Sequence, residues 1–389
     1  MSMRIVQVIF AALAAVAAFS SAAVAEVTTK APYAIIMDYE TGAVLYEKDA
    51  DRPTPPSSMS KLMTSAIVFD RLKTGQLKLT DEFPVSEKAW RMEGSKMWTR
   101  VDTKIPLEAL LNGVIVQSGN DACVVIAEGV AGSEEAFAEL MTKKAREWGL
   151  NNSTFANATG WPDENHKMST RDLALLARKI IKDFPEYYKY YAKKEFTWEK
   201  IRQPNRNPLL YSFKGADGLK TGHTEDAGYG LVGSAEIDGE RRIIVVNGLA
   251  SEKERAAETE RLMRIAFNDF SRRTLYEQGA IAGDALVFAG AAPSVPLVAG
   301  EPISMIISRA DAASVSAKVI YEGPVEAPIE EGQQIGVLRI SAGQGDAREF
   351  PLYAGKAVKA IGPLGRIGLA AKTLLGKPQA AVGEDPAAE

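Results

Sequence analysis

The spacing of apolar residues predicts helices through the middle of the chain, with strands before and after them. Short apolar runs at 34–37 and 43–46 flank a polar turn, which indicates two strands. Two strands at 230–237 and 242–249 flank Asp238-Gly239, a strong hairpin signal. Between these strand pairs, apolar positions recur three or four residues apart, as on one face of a helix, in residues 58–75, 106–116, 121–130, 134–148 and 172–181. This order predicts an α/β domain over residues 26–280, with its terminal strands joined in an antiparallel sheet beside a helical region.

Local signals refine the predicted elements. Gly75 is expected to end the first helix, and Thr170 is a plausible cap for the helix at 172–181. Residues 76–104 lack strong periodicity and are expected to cross the surface. A charged helix is predicted at 252–278.

The composition changes after residue 280. Residues 281–355 carry many prolines and glycines between short Val, Ile and Leu runs, which is typical of a small β-sandwich. Residues 356–377 place an apolar stripe opposite basic residues that no acid offsets, which predicts an amphipathic helix at a membrane interface. The alternative is a terminal helix packed on its own domain, since several glycines and Pro363 weaken the helix prediction. Residues 378–389 are expected to form a disordered tail.

The first 25 residues have the pattern of an export signal. Arg4 is followed by an apolar run at 5–19 and by Ala23-Val24-Ala25, a small-residue cleavage site. A permanent transmembrane anchor is the weaker alternative, because the run is short and no basic flank follows it. No cysteine lies near this boundary, which argues against a lipoprotein. We therefore expect export, with cleavage after Ala25.

Charge and composition exclude several classes of function. The formal net charge of −4 gives no basic field for nucleic acid. Only two histidines and one cysteine are present, so a transition-metal site is not expected and an intramolecular disulfide cannot form. Cys123 lies on an apolar helix face, where we expect it to be part of the core. No metal or other cofactor is predicted.

The first candidate chemistry lies at the start of the helix at 58–75. Two prolines at 55–56 keep the chain extended and let a helix begin near Ser58. Lys61, three residues later, then shares a helix face with Ser58, about 5–6 Å away at Cβ. Serine needs a base to act as a nucleophile at neutral pH, and lysine can serve only if its pKa falls from ~10.4 to roughly 7 in a desolvated pocket. Ser-x-x-Lys alone is too loose a pattern to assign this role.

Two companion motifs follow in order. Ser118-Gly119-Asn120 lies in a break between two predicted helices, where a loop can direct a hydroxyl and an amide into a cleft. Lys220-Thr221-Gly222 opens a strand; its side chains supply donors for a carboxylate, and its glycine lets an extended substrate approach. A second Lys-Thr-Gly at 73–75 lies several turns from Ser58, where Gly75 serves as a helix terminator. We assign that copy no function.

Longer stretches around these motifs carry a family resemblance. Residues 114–122 read VIVQSGNDA, residues 205–210 read NRNPLL and residues 217–224 read DGLKTGHT. With the ordered set of Ser-x-x-Lys, Ser-x-Asn and Lys-Thr-Gly, they resemble the low-molecular-mass penicillin-binding proteins, the exported serine D-alanyl-D-alanine carboxypeptidases of bacterial cell walls. PIEEGQ at 328–333 resembles the β-rich second domain of that family. The resemblance implies a penicillin-binding/β-lactamase-like (transpeptidase) domain followed by a small all-β domain.

The resemblance also implies catalytic roles. Ser58 would attack the carbonyl between two terminal D-alanines, forming an acyl-enzyme that water hydrolyses, and Lys61 would be its base. Ser118 would assist proton transfer, and Asn120 would orient the substrate. β-Lactam antibiotics would acylate the same serine.

Residues of the other motifs would bind the substrate. Arg206, Lys220 and Thr221 would receive the substrate carboxylate, and Gly222 would let the peptide approach the strand. The backbone amide of His223 would complete an oxyanion hole with that of Ser58, while the His223 ring is expected to be structural. The implied partners are peptidoglycan stem peptides and the inner-membrane surface, on the periplasmic side.

Three alternatives remain open. Gly119 replaces the aspartate of the β-lactamase motif, and no Glu-x-x-Leu-Asn element lies between Trp148 and Arg171, so any β-lactamase activity is expected to be weak. A D,D-endopeptidase would share the same motifs. A non-catalytic penicillin-trapping module would keep the fold while losing a motif, and all three motifs are present.

Overall fold

The computed structural model describes residues 5–8, 27–309, 311–342, 347–365 and 367. Contacts divide the chain into two compact units. One is Ala25–Phe270, and the other contains Ser271–Glu389 together with Met1–Val24. Each has its own buried apolar core, as expected of a domain.

Nine α-helices of the described residues lie in the first unit, whereas the second unit contains a short 3-10 turn, Asp311–Ala313, and the helical residues 363–365 and 367. A 3-10 turn, Ser57–Ser60, leads directly into the first helix. The helices are α1 (Lys61–Lys73), α2 (Glu87–Arg91), α3 (Leu107–Ile115), α4 (Asn120–Ala131), α5 (Glu134–Glu147), α6 (Thr170–Asp183), α7 (Pro185–Tyr188), α8 (Leu209–Ser212) and α9 (Glu252–Asn268).

The strands are distributed over both units. Those of the described residues are β1 (Ile5–Val8), β2 (Tyr33–Asp38), β3 (Val44–Lys48), β4 (Glu82–Pro84), β5 (Lys104–Pro106), β6 (Glu195–Trp198), β7 (Ile201–Pro204), β8 (Ala216–Thr224), β9 (Gly228–Ile237), β10 (Glu240–Leu249), β11 (Phe270–Tyr276), β12 (Ile281–Phe288), β13 (Ser294–Ala299), β14 (Ile303–Ser308), β15 (Ser316–Glu322), β16 (Val325–Glu326), β17 (Gln334–Ser341) and β18 (Arg348–Ala354).

The first unit is built on a five-stranded antiparallel sheet with the order β3-β2-β10-β9-β8. The strands that begin the unit thus pair with the hairpin near its end, which confirms the predicted α/β domain. Asp238 and Gly239 adopt positive φ angles in the hairpin turn, as its two-residue length requires. Because β8 lies at one edge, its outer side is open to an extended peptide.

Helices pack on both faces of this sheet. Alternate residues of a strand point to opposite faces. Ile243 and Val245 of β10 therefore join the core formed by α1 and α3–α6, whereas Ile244 packs with Leu262 of α9 on the other face. On the first of these faces α6 packs against β2 and β10, and the 3-10 turn that precedes α1 packs against β8 and β9, so the start of α1, which carries Lys61, lies beside the edge strand.

Three local predictions differ from the structure. The charged helix ends at Asn268 rather than at 278, because residues from Phe270 extend and pair as β11 with β14. The cap of α6 is Ser169 instead of Thr170: its side chain accepts a hydrogen bond from the Asp172 N–H, and Thr170 is already helical. Residues 76–104 are more than a surface excursion, since they contain α2, two short strands and the buried side chains of Ala89 and Met97.

The second unit is an all-β domain, as predicted. Its larger sheet has the order β1-β15-β17-β18-β13-β12-β16, and β11 pairs with β14 in a second sheet. Leu297, Leu338 and Leu352 are fully or almost fully buried in its core.

The chain ends lie largely outside the described residues. This applies to the predicted signal peptide at 1–25 except for Ile5–Val8, to half of the predicted helix at 356–377, and to the tail at 378–389. Val358 and Ala360 form isolated β-bridges with Ile329 and Gly290, and residues 363–365 and 367 are helical, so the helix begins at residue 363 rather than at 356. Within the described residues, no helix has the length and apolar character needed to cross a membrane.

Candidate active site

Ser58 lies in the 3-10 turn that precedes α1. Two glycines let other segments approach this turn closely: a Cβ at Gly160 would come within 1.8 Å of the Ser57 carbonyl oxygen, and a Cβ at Gly222 within 2.2 Å of Ser57 Oγ. Strand β8 and the loop between α5 and α6 therefore hold the turn from two sides. Ser57 and Met59 are buried, while Ser58 is partly exposed and accessible to a substrate.

Lys61 is at the centre of the site. Its Nζ donates hydrogen bonds to Ser58 Oγ at 2.8 Å, to Asn120 Oδ1 at 2.8 Å and to the carbonyl oxygen of Thr159 at 2.7 Å. Only 1% of the residue is exposed. Burial lowers the pKa of Lys61 to about 8, and the charge of Arg206 adds to the decrease. The neutral form of Lys61, which can accept a proton, is therefore more populated at pH 7 than in an ordinary lysine.

The loop between α3 and α4 supplies the second hydroxyl. Ser118 adopts φ +60°, a conformation uncommon for a residue with a side chain, and its Oγ accepts a hydrogen bond from Lys220 Nζ at 2.9 Å. Asn120 bridges two segments, since its Nδ2 donates to the Glu93 carbonyl at 2.8 Å while its Oδ1 binds Lys61. The structure thus joins all three motifs in one hydrogen-bonded cluster.

Lys220, Thr221 and Gly222 lie on edge strand β8, where the sequence placed them. Burial lowers the pKa of Lys220 well below its usual range, and the charges of Lys61 and Arg206 lower it further. Lys220 and Thr221 are only 4% and 6% exposed, so water screens hydrogen bonds from their side chains only weakly.

Arg206 follows β7 and is exposed. Its Nη1 donates to Ser95 Oγ at 2.6 Å, and its charge is near enough to influence both active-site lysines. His223 is the penultimate residue of β8, and its ring stacks on that of Tyr229 with centroids 3.8 Å apart. That packing agrees with the structural role expected for the ring.

Asp121 is a site residue that sequence reasoning missed. Its buried carboxylate accepts hydrogen bonds from the backbone N–H groups of Met97, Trp98 and Thr99 at 2.8–2.9 Å. A Cβ at Gly119 would lie 2.8 Å from Asp121 Oδ1, which gives a physical reason for glycine where the β-lactamase motif has aspartate. An acidic residue following Asn120 at a helix N-terminus was the available signal.

Thr159 was also missed, because it acts through its backbone. Asn157 Oδ1 accepts hydrogen bonds from the N–H groups of Thr159, Gly160 and Trp161, and so forms the turn that presents the Thr159 carbonyl to Lys61. Asn-Ala-Thr-Gly at 157–160 is recognisable turn chemistry, but its partner in space is not visible in the sequence.

Cys123 is fully buried, as expected of a core residue. Burial raises the pKa of its thiol to about 12, so it does not compete as a nucleophile. Among the residues that the structure describes, no cluster of three or more His, Cys, Asp or Glu side chains is positioned to hold a metal ion.

Comparison with known proteins agrees with this geometry. The model of the D-alanyl-D-alanine carboxypeptidase family matches residues 19–251, and that of the penicillin-binding protein 5 C-terminal domain matches residues 270–360. D-alanyl-D-alanine carboxypeptidase DacC of Escherichia coli (strain K12) is 38% identical over 356 residues, which cover 88% of this chain and 89% of that protein.

Two solved structures are also similar. That of D-alanyl-D-alanine carboxypeptidase DacD from Francisella tularensis has a TM-score of 0.77 and 31% identity, covering 87% of this chain and 95% of that one. Penicillin-binding protein D2 from Listeria monocytogenes in its ampicillin-bound form has a TM-score of 0.58 and 30% identity, covering 63% of this chain and all of that one. The chain described here belongs to the D-alanyl-D-alanine carboxypeptidase family.

Proposed function

We propose that the protein is a serine-type D-alanyl-D-alanine carboxypeptidase that removes the terminal D-alanine from peptidoglycan stem peptides through an acyl-enzyme on Ser58. The observation that carries this proposal is the 2.8 Å contact between Ser58 Oγ and Lys61 Nζ, with Lys61 buried and its pKa lowered to about 8. A nucleophile and a base within hydrogen-bond distance are the core of covalent catalysis.

In the acylation step, neutral Lys61 accepts the hydroxyl proton as Ser58 Oγ bonds to the carbonyl carbon. The carbon–nitrogen bond between the two D-alanines then breaks, and the leaving nitrogen receives the proton that Lys61 took from Ser58. Ser118 is suited to relay this proton, because its Oγ is hydrogen-bonded to Lys220 at 2.9 Å. Water then hydrolyses the ester and regenerates Ser58.

The negative charge on the carbonyl oxygen would be stabilised by backbone amides of Ser58 and His223. Each donor in such an oxyanion hole contributes roughly 2.7–4 kcal/mol. Gly222 supports this arrangement, because the absence of a Cβ lets β8 pack against Ser57. A peptide lying along the outer side of β8 would place its C-terminal carboxylate near Lys220, Thr221 and Arg206.

β-Lactams are expected to acylate the same serine. Support comes from the Listeria penicillin-binding protein, whose structure is described as ampicillin-bound. Weak β-lactamase activity and a penicillin-trapping module remain alternatives on the same fold. The trapping module is disfavoured because all three motifs meet in the cluster around Lys61 and Lys220.

The D,D-endopeptidase alternative differs in the group beyond the scissile bond. A carboxypeptidase substrate ends there in a free carboxylate, whereas an endopeptidase accepts a continuing chain. The Arg206 charge acts on Lys220, and Thr221 is the next residue of β8, so a guanidinium, an ammonium and a hydroxyl are available to bind that carboxylate, which favours the carboxypeptidase. The match of residues 270–360 to the penicillin-binding protein 5 C-terminal domain favours it as well.

Amidating the substrate's C-terminus is expected to lower kcat/KM in the wild-type enzyme. Hydrogen bonds to charged groups contribute about 1.5–3 kcal/mol, so the loss should be roughly 10- to 150-fold. The measurement is release of D-alanine, or of its amide, from pentapeptides that end in D-Ala-D-Ala. In Arg206→Ala the amidation should matter much less, because the charge partner is already gone.

Arg202→Ala is the matched control, since Arg202 lies on the preceding strand and pairs with Glu195 at the surface. It should keep the full preference for the free carboxylate. Equal cleavage of free and amidated substrates by the wild type would favour the endopeptidase. Acylation by penicillin without any D-alanine release would favour the trapping module.

We further propose that the protein is exported to the periplasmic side of the inner membrane and attaches to it through its C-terminal segment. The signal-like residues 1–25 support export, and the apolar stripe with basic residues from 356 onward supports attachment. Leu364 and Ile367 of this stripe are 86% and 67% exposed, as expected of side chains that bind a lipid surface.

Removing residues 362–389 is expected to release the protein from membranes without changing its peptidase activity. Cleaving after Ile361 retains the β-bridges of Val358 and Ala360, so the second unit stays intact. Flotation with anionic vesicles measures the binding. The double substitution Leu364→Asp and Ile367→Asp in the full-length chain should also abolish vesicle binding. This variant controls for the effect of shortening the chain. Equal flotation of all three proteins would mean that this segment does not bind the membrane.

A further inference from the structure

A pocket of about 330 Å³ lies directly beside the Ser58 turn and has no part in the catalytic steps described above. Its lining comes from three segments: Pro55 and Pro56, the loop at 160–167, and the end of β8 with the turn that follows it. We call it the Trp161 pocket, after its largest side chain, which is 43% exposed. Its volume is at the lower end of the range for small-molecule sites, which suits a single amino-acid side chain.

The Trp161 pocket is close to the nucleophile. Pro56 precedes Ser58 by two residues, so their Cα atoms are at most about 7.6 Å apart. A Cβ at Gly160, which also lines the pocket, would lie 1.8 Å from the Ser57 carbonyl oxygen. Thr159, the preceding residue, accepts the hydrogen bond from Lys61. The pocket is therefore within reach of a substrate residue next to the one that reacts with Ser58.

The proposed binding mode directs the N-terminal side of the stem peptide toward this pocket. The terminal carboxylate is assigned to Lys220 and Thr221, and the scissile carbonyl to the N–H of His223, further along β8. The peptide would thus run antiparallel to β8, and the residues before the scissile bond would lie beyond His223. Thr224, the last residue of β8, and Asp226 line the pocket at that end.

Trp161 is held in a fixed position at the border of the catalytic cleft. Its backbone N–H donates to Asn157 Oδ1 at 3.1 Å and to Thr159 Oγ1 at 3.0 Å, and its carbonyl accepts from Asn157 Nδ2 at 3.0 Å. A Cβ at Gly94 would lie 3.2 Å from the indole Cζ3 and 3.0 Å from Asn120 Nδ2, so the ring lies near the Asn120 amide. A preformed wall of this kind requires little ordering when a ligand binds.

The charge of the pocket favours a cation. Asp163, Glu164 and Asp226 line it as exposed carboxylates, together with Lys167. Within the described ranges, no lysine or arginine forms an ion pair with any of the three acids. Burial lowers the pKa of His166 to about 4, so its ring adds no positive charge at neutral pH. The pocket is therefore negative overall and attracts positive groups.

We propose that the Trp161 pocket binds the side chain of the stem-peptide residue that precedes D-Ala-D-Ala, and that it selects a lysine-like residue, whose apolar stem ends in an ammonium group. This inference rests on the proposed peptidase function and defines the substrate more closely. The stem would pack on the indole and the prolines, while the ammonium would bind the carboxylates in water at the rim.

The test compares two peptides that differ in one group: Nα-acetyl-L-lysyl-D-alanyl-D-alanine and the same peptide acetylated on its ε-amino group as well. Both have the apolar stem, and only the first has the cation. The ratio of kcat/KM, free amine over acetylated, should be about 3- to 30-fold in the wild type, as expected of an exposed ion pair with a cation–π contact. High salt should reduce this ratio, because it screens exposed charges.

Substitutions in the pocket should change the ratio. The double substitution Glu164→Gln and Asp226→Asn should bring it close to one, and Lys167→Gln should raise it, because the pocket then loses its own cation. Trp161→Ala should lower the ratio and raise KM for both peptides, and Trp161→Phe should restore most of the loss. A ratio of one in the wild type, or a ratio that none of these substitutions changes, would overturn the proposal.

Glu225→Gln is the matched control. Glu225 is exposed and immediately precedes Asp226, but it does not line the pocket. This variant should keep the wild-type ratio. A decrease equal to that in Asp226→Asn would overturn the proposal, because it would assign the preference to the general field of the surface.

Peptide binding to Ser58→Ala, followed by ligand-observed NMR, gives a readout that does not depend on catalysis. The peptide with the free amine should bind more tightly than the acetylated one, and this difference should disappear when Glu164→Gln and Asp226→Asn are added. Equal binding of the two peptides to Ser58→Ala would overturn the proposal. If the wild type releases D-alanine from neither peptide, the proposed peptidase function fails, and this binding measurement still decides the role of the pocket.

Discussion

Replacing Lys61 with arginine is expected to slow acylation by β-lactams about 10²- to 10⁴-fold, the usual contribution of a general base. Arginine keeps the positive charge and the donors, but its pKa above ~12 prevents it from accepting a proton at neutral pH. Lys61, in contrast, can be neutral near physiological pH and accept a proton, because burial lowers its pKa to about 8. The substitution therefore removes the base while keeping the charge.

The pH dependence provides a second readout of the same group. Only the neutral lysine acts as a base, so the wild-type acylation rate should rise with pH as Lys61 loses its proton, with an apparent pKa near 8. Lys61→Arg should lack this step. Stopped-flow acylation between pH 6 and 9 measures both effects, while circular dichroism and Tm confirm that the variant is folded.

Lys73→Arg is the matched control. Lys73 belongs to the second Lys-Thr-Gly, at the end of α1, and its Nζ donates to the Asp183 carbonyl at the surface. This variant should react at the wild-type rate. If folded Lys61→Arg were acylated within a few-fold of the wild-type rate, the base would have to be another group.

The fold was largely predictable because its local signals agree with one another. Asp238-Gly239 specifies a two-residue hairpin, and Gly75, with φ +73°, ends the helix of Ser58 and Lys61. The end of α9 was predicted wrongly because residues 270–276 follow the charged helix without a proline or glycine to mark the boundary. Their strand is set by pairing with β14, a partner remote in sequence.

The sequence motifs predicted those residues of the candidate site that act through their side chains. Ser58, Lys61, Ser118, Asn120 and Lys220 meet in one cluster, as their order suggested. The surroundings of the site were not predictable. Every residue has a backbone carbonyl, so the sequence does not reveal the role of the one at Thr159. Ser95 lies in a segment without helical or strand periodicity. Such contacts depend on three-dimensional packing, which one sequence does not reveal.

Ser58 is expected to be the one residue acylated by a β-lactam. Among the residues that the structure describes, it alone combines a partly exposed hydroxyl with a 2.8 Å contact to Lys61. Ser60 points elsewhere, with its Oγ 2.7 Å from His166 Nε2 in a buried contact, and Ser57 is bonded to the Pro56 carbonyl. Ser118 Oγ accepts a hydrogen bond from Lys220, and its proposed role is to relay a proton to the leaving nitrogen.

Loss of the nucleophile should have the largest effect of any substitution. Ser58→Ala removes the atom that forms the covalent bond, so neither acylation nor D-alanine release should be measurable. The Lys61 amine would keep its contacts with Asn120 and Thr159, and the variant should remain folded.

Peptide mapping by mass spectrometry after penicillin treatment tests the central claim most directly. We expect the mass of the antibiotic on the peptide containing Ser58, fragmentation that assigns it to that residue, and no adduct in Ser58→Ala. An adduct on Ser57, Ser60, Ser118 or Cys123, or an adduct that persists in Ser58→Ala, would contradict the assignment of Ser58 as the nucleophile.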